Sequence, residues 1–140
     1  MPFVLPLLLL LACPDSGAAL RVTPDCVALA ARNELTAGSP WRATRLLAPI
    51  LADPATRTPE SEWLAARAAA QWGGWEQVRK ILGRSQWLDS LYDGSGRELL
   101  ARAALALGDD SAAAVEARSA LVDASTPASV GVRRVLLARA

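Results

Sequence analysis

Catalysis needs reactive side chains at workable spacings, and this chain supplies few. Its 140 residues include no histidine and two cysteines, Cys13 and Cys26. Without histidine, the commonest general base and the commonest metal ligand are both missing. Two cysteines build neither a zinc site nor a disulfide framework. Cys26 reads most simply as a small apolar residue. Asp109 and Asp110 are adjacent, so their carboxylates splay apart and make a poor acid–base couple. No nucleophile–base pair can be assembled, and the expectation is a chain with no catalytic, metal or cofactor site.

Binding chemistry is better represented. Five tryptophans stand at Trp41, Trp63, Trp72, Trp75 and Trp87. Their ring faces suit sugar stacking, although packing between helices explains most such residues. Trp72 and Trp75 flank a Gly-Gly turn and are the pair expected at the surface. Arg42 and Arg45 share a helical face, as do Arg79 and, more loosely, Lys80 and Arg84. Such charges ordinarily form solvated helix surface. In a concave groove they would capture an acidic peptide or a carboxylate. With a formal net charge of +1 and the basic residues spread along the chain, no electrostatic footprint for nucleic acid is present.

The elements that must position these residues are helices. Hydrophobic residues make up 52% of the chain but aromatic residues only 5%. Alanine and leucine fill the difference, which favours helix over sheet. Residues 1–19 are set apart. The apolar run 3–12 is too short to span a bilayer, which takes about 20 residues. It suits a secretory signal, with a cleavage point near Gly17, Ala18 and Ala19. Leu10-Leu11-Ala12-Cys13 also resembles the bacterial lipobox, which would lipidate Cys13. A buried apolar N-terminal segment is the third reading. Both leading readings send the protein out of the cytoplasm, to the periplasm or to a lipid anchor on the cell envelope.

Beyond residue 20 the sequence repeats. Gly38, Gly73 and Gly108 are spaced 35 apart, each ending one apolar-periodic stretch and preceding another. Aligned on them, Ala31, Ala66 and Ala101 form one column, and Ala43, Val78 and Ala113 another. Leu47, Leu82 and Ala117 form a third, on the same helical face as the second. First helices are predicted at about 25–37, 60–72 and 96–107, with partners at about 40–52, 75–86 and 110–123. Thr23-Pro24-Asp25 and Thr58-Pro59-Glu60 are start signals. Pro49 is expected to kink or stop the second helix near Ala48. A seventh helix should begin near Ala128, packing through Val132, Val135 and Leu136.

The pattern Leu100-Ala101, Ala104, Gly108-Asp109-Asp110, Ala113, Ala117, Ala120-Leu121 resembles a tetratricopeptide repeat, a helix pair recurring at about 34 residues. The resemblance covers about residues 25–140, with repeats at about 25–55, 60–90 and 96–125 and an incomplete fourth from 128. It implies an all-α, right-handed α-α superhelix over residues 20–140. Glu34, where the other repeats have Ala69 and Ala104, departs from the pattern, and so do the displaced Pro54 and Pro127. Glu60-Ser61 matches the catalytic pair of lytic transglycosylases, but their downstream Gly-Leu-Met-Gln run is missing. Glu60 therefore reads as a helix-start residue.

The function expected is that of a non-catalytic scaffold in the bacterial cell envelope. Its partner would be a protein, a peptide or a peptidoglycan strand, bound near Trp72, Trp75, Arg79, Arg42 and Arg45. Contact with a membrane would come only through a lipid on Cys13. The alternative is the N-terminal superhelical part of a lytic transglycosylase whose catalytic domain lies outside this chain.

Overall fold

The computed structural model describes residues 23–140. Seven α-helices follow one another: α1 (Pro24–Thr36), α2 (Pro40–Ala52), α3 (Pro59–Gln71), α4 (Trp75–Leu82), α5 (Ser95–Ala106), α6 (Asp110–Val122) and α7 (Pro127–Arg139). No strand occurs among the described residues. Each helix packs on the next, giving the all-α solenoid expected. The odd-numbered helices also touch in succession, α1 on α3, α3 on α5 and α5 on α7, whereas α2, α4 and α6 do not touch one another. The stack is therefore closed along the odd helices and open along the even ones.

Three turns of one design generate this plan. Gly38, Gly73 and Gly108 adopt φ of +74°, +80° and +77°. Their amides donate to the carbonyls of Leu35, Ala70 and Leu105 at 3.1, 3.2 and 3.1 Å. The next amides, of Ser39, Gly74 and Asp109, donate to Glu34, Ala69 and Ala104 at 2.8, 2.8 and 2.9 Å. This double bond pattern is the glycine-ended helix cap that satisfies the last carbonyls and reverses the chain. Beside each turn the aligned columns meet. Ala31, Ala66, Ala101, Ala43, Val78 and Ala113 are all fully buried. Small side chains let the paired helices approach closely.

Helix starts follow the Thr-Pro signals. Thr23 accepts from the Cys26 amide, and Thr58 and Thr126 form reciprocal capping boxes with Ser61 and Ser129. The third repeat lacks a Thr-Pro start and uses another device. Tyr92, Asp93 and Gly94 take φ of 59°, 52° and 68° in succession, turning the chain into α5. Two of these are not glycine, so the turn carries local strain that its surroundings must hold.

Arg133 supplies much of that hold. Its side chain is 1% exposed and donates to the Ala120 carbonyl at 2.7 Å, to Glu98 Oε2 at 3.3 Å and to the Asp93 carbonyl. Ser125 Oγ donates to Asp93 Oδ2 at 2.6 Å. The register of α7 thus differs from the one predicted. Arg133 and Leu136 face inward, while Val132 and Val135 are exposed, because the guanidinium's donors satisfy backbone carbonyls that an apolar chain could not.

Two further corrections concern helix ends. Pro49 neither stops nor shortens α2, which runs on to Ala52. Pro49 and Arg45 are both exposed, on the side of α2 where losing a backbone hydrogen bond costs least. Conversely α4 ends at Leu82 rather than near residue 86. The chain then leaves the helix to bury Trp87 and Leu88 in the core. Gly96 makes room for them, since a Cβ there would sit 2.4 Å from Leu88.

Ala101 is fully buried where α5 meets its neighbours, whereas Ala106 on the same helix is exposed. Ala101→Arg should lower stability by about 3 kcal/mol or more, through overpacking and a desolvated charge. Ala106→Arg should stay within about 0.5 kcal/mol of the parent. Urea melts of both variants check this, and equal midpoints would contradict the helix-pair register.

Candidate binding groove and aromatic clusters

Because α2 and α4 stand apart over α3, a groove of about 950 Å³ opens between them. The α2 wall is Thr44, Ala48, Leu51 and Ala52, spaced as one helical stripe. Ala65 and Glu62 of α3 form the floor, and α4 contributes Gln77, Arg79, Lys80 and Ile81. Arg57 and Arg84 complete the rim. Four basic side chains thus face two acidic ones, Glu62 and Glu76.

Most of these charges are already engaged. Glu62 Oε2 accepts from Ser85 Oγ and from the Trp87 indole N–H, each at 2.6 Å, pinning the segment after α4 to α3. Glu76 pairs with Arg79 at 3.1 Å. Arg57 donates to the Leu51 carbonyl. Lys80 and Arg84 carry no ion pair among the described residues. The groove has an apolar stripe on its α2 wall and a surplus of positive charge on the α4 side.

The residues expected to form one binding surface are distributed over several places. Arg79 lines the groove. Arg42 lies 4.0 Å from Glu34 outside it, and Arg45 is exposed. Trp72 is half-buried, its indole N–H donating to Thr44 Oγ1 at 3.3 Å. Trp75 is also half-buried and borders a second depression of about 620 Å³, with Leu105, Val132 and Val135. The exposed tryptophan is Trp41, missed in the sequence, which stacks on Trp72 with ring centroids 4.4 Å apart. The expectation of a surface pair Trp72–Trp75 is therefore replaced by the pair Trp41–Trp72.

A second aromatic cluster holds the strained turn. Tyr92 stacks on Trp63 at 5.3 Å and meets Trp87 edge-on at 5.4 Å. The Arg67 guanidinium covers the Trp63 ring at 5.8 Å. Glu60 pairs with Arg32 across α1 and α3, and Ser61 is consumed by its capping box. Those contacts give both residues of the Glu-Ser pair a structural role.

No family model, no curated protein and no solved structure matches this chain.

Among the described residues no group of three metal-ligating side chains comes together. Cys26 is disulfide-bonded, which corrects its reading as a small apolar residue. Cys13 and the whole leader 1–19 lie outside the described residues. Asp89 is held below the usual carboxylate range by its hydrogen bonds from Arg97, at 2.8 and 3.0 Å, and Arg97 also reaches Glu116 at 3.0 Å. That network ties the segment after α4 to α5 and α6.

Tyr92 is the chain's one tyrosine, and burial followed by the nearby Glu60 carboxylate pushes its phenol above the ordinary 10.0. A raised phenol keeps its proton in the fold. Its contribution is whole below the unfolded value and fades as pH climbs through the folded one. Absorbance titration at 295 nm should therefore place the native midpoint above that in denaturant, with alkaline loss of stability between the two. Coincident midpoints would contradict the packing of Tyr92.

Proposed function

We propose that this protein is a non-catalytic, tetratricopeptide-like scaffold of the cell envelope, and that its groove between α2 and α4 holds an acidic peptide segment of a partner protein. The observation that carries the reading is the groove itself, with an apolar α2 wall of Ala48, Leu51 and Ala52 opposite Lys80 and Arg84, which stand outside any ion pair among the described residues. Such a channel buries the apolar parts of an extended segment while placing cations beside its carboxylates. The repeat of 35 residues and the three equivalent turns support the tetratricopeptide-like assignment. The apolar leader of residues 3–12 supports export.

Electrostatic recognition of this kind weakens with salt, because rim charges are screened over about 10 Å at 0.1 M ionic strength. A fluorescein-labelled Glu/Asp-rich peptide should bind the chain at low salt, and a Lys-rich counterpart should not. The double variant Lys80→Glu/Arg84→Glu should weaken that binding by roughly tenfold, which is about 1.4 kcal/mol, while leaving the thermal midpoint near that of the parent. Anisotropy titrations measure both. Unchanged affinity in the double variant, or a preference for the Lys-rich peptide, would overturn the reading.

A further inference from the structure

Trp41 is 58% exposed although it is the second residue of α2, at an ordered helix start. One face of its indole is covered by Trp72, with the rings 4.4 Å apart and tilted by 15°. Trp72 is itself fixed from two sides. Its N–H donates to Thr44 Oγ1 at 3.3 Å, and its six-membered ring lies so close to Gly74 that a Cβ there would be 2.1 Å away. Gly74, Trp72 and Trp41 form a layered support that leaves the outer indole face in water. The second glycine of the Gly73-Gly74 turn is thereby explained by the ring that lies against it.

We infer that this outer face of Trp41 is a stacking platform for a sugar ring, and that Arg45 selects a sugar bearing a carboxylate. A ring already immobilised by its stack loses little freedom when a ligand lands on it. The surroundings decide what kind of ligand fits. Trp41 is followed by Arg42, Arg45 stands one helical turn further on, and exposed Gln71 precedes Trp72 in the chain. A protein interface would call for a contiguous apolar patch. One indole among hydrogen-bonding side chains instead matches a pyranose, whose C–H face is apolar and whose rim is hydroxylated. The two arginines disfavour a cationic ligand. Arg45 carries no ion pair among the described residues, and its planar fork suits a sugar carboxylate. The platform does not rest on the peptide reading of the groove, whose unpaired charges, Lys80 and Arg84, lie on and beyond α4.

The test uses the full chain and two end-labelled probes of equal length, an oligogalacturonate and the uncharged chito-oligosaccharide. Fluorescence anisotropy should show binding of both, with the acidic probe tighter by about fivefold, a difference near 1 kcal/mol. Trp41→Ala should weaken both by at least about tenfold, whereas Trp41→Phe should retain most of the affinity. Arg45→Gln should erase the preference for the acidic probe and leave the uncharged one unaffected. Trp41→Ala loses the stack on Trp72 but sits at the surface, so circular dichroism should show every variant folded at the assay temperature, with Arg45→Gln melting like the parent and Trp41→Ala only slightly below it, which separates lost binding from lost folding. Equal affinity of Trp41→Ala and the parent would overturn the proposal, as would failure of the parent to bind either probe. Equal losses in Lys80→Glu/Arg84→Glu would place the sugar in the groove and overturn it too.

Discussion

A backbone dihedral governs this molecule. At Gly38, Gly73 and Gly108 the chain takes a positive φ, where an L side chain would bring its Cβ too near the following carbonyl oxygen. That single conformation ends an odd helix, delivers two amides back to its last carbonyls and launches the even helix. The columns of small residues matter only because the turn sets the pair face to face. Fully buried Ala31, Ala66 and Ala101 then occupy equivalent places in three successive units. Helices of 8 to 13 residues are marginal alone, and it is this repeated packing that stabilises them.

Departure from the repeat is as informative as adherence. The third unit has no Thr-Pro start, and α4 stops five residues early by the 35-residue pattern. The intervening chain is used as filling, with Trp87 and Leu88 in the core and Glu62 and Asp89 as tethers. Entry to α5 through three left-handed residues would be costly in isolation. Tyr92 is clamped between aromatic rings, and the Asp93 carbonyl is taken by Arg133 forty residues later in the chain. The last helix is thus docked by a buried cation whose donors complete someone else's backbone. Taking that cation away would leave the Asp93 and Ala120 carbonyls short of a partner, so the strained turn and α7 depend on each other.

Much of the fold was legible in the sequence because helix periodicity and the glycine spacing are local signals. All seven helices begin within a residue of where the pattern placed them, although α4 ends early, and the three aligned columns are inward-facing. What stayed hidden depended on contacts distant in sequence. Val132 was a reasonable inward residue by periodicity, and no local rule announces that Arg133 will find carbonyls on α6 and before α5. Pro49 looked like a breaker because its exposed position, which tolerates a lost hydrogen bond, is a tertiary fact. The candidate site was less legible still. Arg79 does line the groove, but the groove exists only because α2 and α4 do not touch, and Trp41 became prominent only through its stack on Trp72.

The central claim, that positive-φ glycines define the repeat, is tested most directly by a pair of identical substitutions with opposite expected signs. A Cβ added at Gly73 or at Gly131 meets nothing within 4 Å, so packing is the same in both places. Gly73 has φ of +80°, whereas Gly131 lies inside α7. Urea denaturation should show Gly73→Ala destabilised by about 1 kcal/mol, from the left-handed conformation alone. Gly131→Ala should be stabilised by up to about 1 kcal/mol, from helix propensity. A Gly73→Ala protein as stable as the parent, or stabilised like Gly131→Ala, would contradict the account.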